Sequence, residues 1–183
     1  MTETTMKRYE SYKDSGVGWI GEIPSHWKIE RLKNHFSMVT ETSYSSLKIG
    51  LENIEGFTGR YTKYDGNGIA VEREDLVYGK LRPYLCKAWI AEFPCNAVGD
   101  FFVFRKKGSI AMSYIHKLFL SPQTTDVCNA STYGARMPRV SSSFILNMPI
   151  LIPSPSEQQA IVDYLKDKTL KIEQYVSARE RAA

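Results

Sequence analysis

The chain has 183 residues, enough for one globular domain with a buried core and an appendage. It is 43% hydrophobic, 12% aromatic and 24% charged, with a formal net charge of +4, and no apolar run is long enough to span a bilayer. The opening MTETTMKRYE is polar and carries acids, unlike a signal or transit peptide, so a cytoplasmic location away from membranes is expected.

The segment through Gly16, Gly18 and Gly21 to Pro24 is too rich in glycine and polar residues for a regular element, and residues 1–26 are expected to form an arm anchored by Trp19, Ile20 and, just beyond it, Trp27. WKIERL (Trp27–Leu32) alternates apolar and charged positions and predicts a half-buried strand. SLKIGLENI (Ser46–Ile54) predicts another. The stretch Gly56–Gly68 holds four glycines and three Tyr or Phe rings and predicts a hairpin or loop. DLVYG (Asp75–Gly79), CKAWIA (Cys86–Ala91) and NAVGDFFVF (Asn96–Phe104) are β-branched and aromatic runs suited to a compact sheet. Ser109–Ser121 predicts an amphipathic helix with Ser109 as N-cap and Pro122 beyond its end. A polar loop around Ser131–Gly134 leads to the strand-like FILNMPILI (Phe144–Ile152). PSPS (Pro153–Ser156) then marks a change of composition, and Ser156 with Gln159 has the form of a capping box. The rest, without glycine or proline, predicts one helix of about 40 Å. Leu165 and Ile172 stand seven apart, with Ile161 and Val176 on or beside the same stripe. The spacing fits either a helix that pairs with another helix or one packed on its own domain.

The fold class expected is mixed α+β, a compact β-rich domain with short helices over residues 1–152, followed by a long coiled-coil-forming helix over 153–183. Positive charge concentrates in the middle of the chain. Lys80–Arg139 holds nine basic residues against three acids, residues 1–79 hold ten against twelve, and 150–183 hold five against five. A cationic middle segment is what a phosphate-facing surface requires, although a solvated basic face without a partner has the same composition. Cys86, Cys95 and Cys128 form no CxxC pair, which predicts buried or half-buried free thiols. His26, His35 and His116 lack metal-ligand spacing, so neither a metal nor a cofactor is expected.

Four segments, in order, carry a family resemblance. YKDSGVGWIGEIPSHWKIERL (Tyr12–Leu32) resembles the D-S-G-x-x-W-x-G-x-I-P-x-x-W start of type I restriction–modification specificity subunits. DLVYGKLRPYLCK (Asp75–Lys87) resembles their D-I-L-x-x-K-x-R-P-Y-L-x-K segment, GARMPRV (Gly134–Val140) their G-x-x-M-P-R loop, and IPSPSEQQAIVDYL (Ile152–Leu165) the start of their spacer helix. The resemblance implies one target-recognition domain and one spacer helix, where a full subunit carries two domains held apart by two antiparallel helices. It implies double-stranded DNA as ligand, with methyltransferase subunits and, through them, a motor–nuclease subunit as partners. With no second repeat visible, the chain is expected to be either an excised amino-terminal half or a half-subunit working as a two-fold dimer, the missing cap at its helix end favouring the excised half.

Sequence readout needs phosphate contacts for position and base-edge contacts for specificity. Lys80, Arg82, Lys87, Arg105, Lys106 and Lys107 are candidates for the first. Arg82 precedes Pro83, which predicts an extended backbone and an aimed side chain, though an internal salt bridge would use the arginine equally well. Tyr61, Lys63, Tyr64, Tyr133, Arg136 and Arg139 are candidates for the second, because arginine can pair two donors with guanine. Ile161, Leu165, Ile172 and Val176 would pair the helix with a partner helix, from a second recognition half or a second copy. Catalysis is not expected. NMPI (Asn147–Ile150) lacks the second proline and the aromatic ring of an adenine methyltransferase element, and Asp75 and Lys80 do not match a nuclease spacing. The rival class is an interaction module acting through the terminal helix alone.

Overall fold

In the computed structural model, residues 8–60 and 64–181 are described. The centre is an antiparallel sheet in the order β4 (Phe36–Val39), β10 (Phe101–Lys106), β7 (Leu76–Gly79) and β8 (Ala88–Ile90). Its two middle strands are mostly apolar, Leu76–Tyr78 and Phe101–Phe104, because both of their faces are covered. Successive residues of β10 face opposite sides, so Phe102 and Phe104 enter one core while Phe101 and Val103 enter the other. Leu76 and Tyr78 likewise divide from Val77, and Ala88 from Trp89.

The first core is closed by α1 (Leu32–His35), α2 (Met112–Phe119), α3 (Pro122–Ala130), α4 (Ser142–Asn147) and β11 (Pro149–Ile152). β11 pairs antiparallel with β3 (Lys28–Arg31). The second core lies under β5 (Thr42–Ile49), β6 (Tyr64–Val71) and β9 (Cys95–Ala97), each of which pairs with the other two. Cys86, Cys95 and Cys128 are all buried free thiols. Burial pushes the Cys95 and Cys128 thiols up to about 11. The long helix α5 covers Pro155–Glu180, so the mixed α/β class with a terminal helix is as expected.

Several local expectations change. The arm is not irregular: β1 (Tyr12–Asp14) and β2 (Glu22–Pro24) form a hairpin, and Trp19 packs against the first core. Ser46–Ile54 is only partly strand, since β5 ends at Ile49 and a 3-10 turn takes Leu51–Asn53. Phe144–Ile152 splits into the end of α4 and β11, because Ser141 caps a helix by accepting the Phe144 amide at 3.1 Å. Pro122 starts α3 rather than merely ending its predecessor, with Ser121 as N-cap. Ser109 does not cap α2. That helix begins at Met112, and the Ala111 amide donates at 2.8 Å to Gln158 of α5 instead.

Candidate nucleic-acid interface

The four distinctive segments meet in pairs. Trp27, just after the arm, and Glu157, from the first turn of α5, build a junction between domain and helix. The α5 capping box uses Ser154 and Glu157, not Ser156 and Gln159, because Pro155 fits the first helical position. Glu157 accepts from Trp27 Nε1 at 3.0 Å, from the Ser154 amide at 2.9 Å, and contacts His26 Nε2 at 2.8 Å. Burial pushes its carboxyl up, but the bonds from Ser154, Trp27 and His26 outweigh that and bring it down to about 2. Gln158 is 3% exposed; besides accepting from Ala111 it donates to the Pro153 carbonyl at 3.0 Å. Ile161 and Val162 pack against the first core. Ile161 therefore belongs to the domain's own packing rather than to a free pairing stripe. Leu165, Ile172 and Val176 stay exposed, joined by Leu170 and Tyr175.

The other two segments build the candidate DNA-facing surface. The Lys80 amide donates to Asp100 at 2.9 Å, the Val140 amide to Lys80 at 3.0 Å, and the Arg82 amide to Pro138 at 2.8 Å. Leu81 and Tyr133 each pair with Arg139 in antiparallel bridges. Chain segments nearly sixty residues apart are thereby locked side by side, bringing Lys80, Arg82, Tyr133 and Arg139 together and setting Arg136 on the loop beside them. Within this group the side chains differ in freedom. Arg139 donates through Nε and Nη2 to both oxygens of Asp100, at 2.9 and 2.8 Å, and through Nη1 to the Met137 carbonyl at 3.3 Å. The Arg139 hydrogen bond, helped by the charges of Arg139 and Lys80 and opposed by burial, holds the Asp100 carboxyl below the usual carboxylate range. Lys80 lies 3.9 Å from the same carboxylate and 5.5 Å from the centre of the Phe102 ring. Arg82 and Arg136 are exposed and have no ion pair with a described residue.

Arg82 is not extended. Its φ of 50° and ψ of 66° put it in the left-handed region, where the turn over Pro83–Leu85 requires it. The preference imposed by a following proline is overridden by the Arg82–Pro138 hydrogen bond and by that turn.

The remaining basic candidates are elsewhere. Arg105 sits toward the far end of β10, five residues or roughly 16 Å along the strand from Asp100. Its guanidinium is bound by Asp75 at 2.8 and 3.1 Å and by Glu72 at 2.8 Å. Asp75 is 3% exposed, so this pair closes the sheet rather than offering a free cation. Lys107 Nζ donates to the Lys33 carbonyl at 2.8 Å, and Lys106 is exposed beside it. Lys87 Nζ donates to the Leu51 carbonyl. Tyr61 and Lys63 lie outside the described residues, and Tyr64 opens β6 opposite Lys48. The sequence reading missed Asp100, Asp75, Glu157 and Gln158 as organisers. The available signal was the presence of Asp75, Glu157 and Gln158 inside the distinctive segments themselves; Asp100 had none.

The model of the family described as "Type I restriction modification DNA specificity domain" matches residues 20–177. A curated relative, the type I restriction enzyme EcoDI specificity subunit of Escherichia coli, is 22% identical over 153 residues, 76% of this chain and 34% of the relative. Among solved structures, the HsdS subunit from Thermoanaerobacter tengcongensis aligns with a TM-score of 0.62 at 15% identity, over 94% of this chain and 42% of that one. The type I restriction–modification S subunit from M. genitalium aligns with a TM-score of 0.56 at 12% identity, over 83% and 41%. The structural likeness establishes the fold. The chain spans 34% of the curated relative's length and 42% and 41% of these two solved chains. With its family model covering residues 20–177, the chain belongs to the type I restriction–modification DNA specificity domain family.

Proposed function

We propose that this chain reads one half-site of a duplex DNA target and performs no catalysis itself. In this reading residues 1–152 form the recognition domain and 153–183 the spacer, and the chain directs adenine methylation by methyltransferase subunits and, through them, restriction by a motor–nuclease subunit. The observation that carries it is the backbone-locked meeting of Lys80–Arg82 with Pro138–Val140, which gathers Lys80, Arg82, Tyr133, Arg136 and Arg139 on one surface. Arg82 and Arg136 are the candidates for direct contact, since their charges have no ion pair with a described residue. Arg139 acts through Asp100 to hold the loop that presents Arg136. The exposed Leu165, Ile172 and Val176 support a role for α5 in pairing with a second helix.

The test is binding of the full chain to a random duplex pool across a salt series, followed by selection of bound sequences with and without a methyltransferase partner. Affinity should fall linearly with salt on logarithmic axes, and selection should converge on a half-site. Absence of duplex binding at low salt would overturn the reading in favour of an interaction module.

A further inference from the structure

The exposed large apolar residues fall into three groups, the arm (Tyr9, Tyr12), the helix α5, and a set comprising Phe57, Tyr84, Leu85, Tyr133 and Met137. The last set is continuous with the cationic surface. The Phe57 amide donates to the Cys86 carbonyl at 2.9 Å, which seats Gly56–Phe57 on the turn holding Tyr84 and Leu85. That turn is tied through Arg82 to Pro138, next to Met137, and Tyr133 is bridged to Arg139. At Gly56 the backbones approach so closely that a Cβ would stand 2.3 Å from the Leu85 carbonyl oxygen.

The backbone along this ridge is strained. Four non-glycine residues among those described have positive φ, and three of them, Phe57 at 66°, Arg82 at 50° and Cys86 at 51°, lie here. Such conformations are costly for non-glycine residues and are enriched at functional sites. Phe57 is itself 68% exposed, and beside it the turn and the Gly134–Pro138 loop expose Tyr84 at 48% and Met137 at 45%. Exposed together beside the cationic surface, these groups offer apolar area to an acceptor outside the molecule. Base faces supply one, and the neighbouring exposed Arg82 suits a phosphate beside an opened step.

We infer that the ridge is a wedge, with Phe57 and Met137 entering the duplex and unstacking a base step while Arg82 holds the backbone and Arg136 reads an adjoining base edge. This rests on the DNA-reading proposal and deepens it, because target choice would then include the ease of opening a particular step as well as base-edge contacts.

The experiment uses the full chain, a short duplex of the selected sequence with 2-aminopurine at successive adenines, and the variants F57G and M137A. With the parent, fluorescence should rise at one step on binding. F57G removes strain and an exposed ring, so its melting temperature should equal or exceed the parent's, while affinity falls roughly tenfold and the fluorescence rise disappears. M137A should lose the same signal without loss of stability. Binding by the parent with no rise at any position would overturn the wedge and leave DNA reading intact. A variant that keeps both affinity and fluorescence would exclude its residue from the wedge. A clear drop in the melting temperature of F57G would show that Phe57 serves the fold. Failure of the parent to bind any duplex would overturn wedge and DNA reading together.

Discussion

Asp75 is 3% exposed and meets the half-buried Arg105 guanidinium at 2.8 Å, so a buried carboxylate is held by a partly exposed cation at the end of β10. Arg105→Ala leaves that carboxylate buried without its cation and should cost about 2–4 kcal/mol of stability, read by urea unfolding. DNA affinity per folded molecule should be unchanged, and a selective loss of binding without loss of stability would return Arg105 to the DNA-facing set. Arg136 is the opposite case, exposed on the loop from Gly134 to Pro138 and without an ion pair to a described residue. Arg136→Ala should leave unfolding untouched and relax preference at one base position by about 1–3 kcal/mol, measured by competition among single-base variants of the target. Composition counts both arginines equally. Only the location of the acids, with Asp75 and Glu72 on one and Asp100 beside Arg139, divides structural cations from available ones.

At the scale of elements, α5 is secured to the domain in its first two turns by Glu157, Gln158, Ile161 and Val162, and further along by the Glu173 ion pair with Arg60 at 2.9 Å. Glu157→Ala removes half of the capping box and the partner of Trp27, and should cost about 1–2 kcal/mol. The folded-state value of this carboxyl lies below its ordinary 4.5, so folding favours the ionised form. Its contribution is therefore fully present above pH 4.5 and fades as pH falls toward 2. The stability gap between parent and Glu157→Ala should close over that acid window, and a gap independent of pH would assign the loss to packing alone. The long apolar runs of β7 and β10 and the long terminal helix were legible in sequence because pattern and length leave little choice. The start of α2 was not, since the group meeting the Ala111 amide is Gln158, 47 positions away. The left-handed backbone at Arg82 was illegible for a similar reason. Local chemistry favours extension there, and a hydrogen bond to the distant Pro138 overrules it.

For the whole molecule, the division between domain and helix decides what association can look like. Leu165, Ile172 and Val176 are exposed beyond the docked turns, so Leu165→Asp with Ile172→Asp should abolish pairing and leave the domain's unfolding transition in place. Sedimentation of parent and double variant checks this, and identical masses would remove the stripe as a seam. Since one sheet serves as ceiling to one core and floor to the other, neither half of the domain can loosen without exposing its neighbour. The exposed side chains at its rim, such as those of Arg82 and Arg136, share none of that obligation. If the chain reads a half-site as proposed, exchange of a few exposed rim residues should retarget it at little folding cost, because the cores that hold the platform would be untouched.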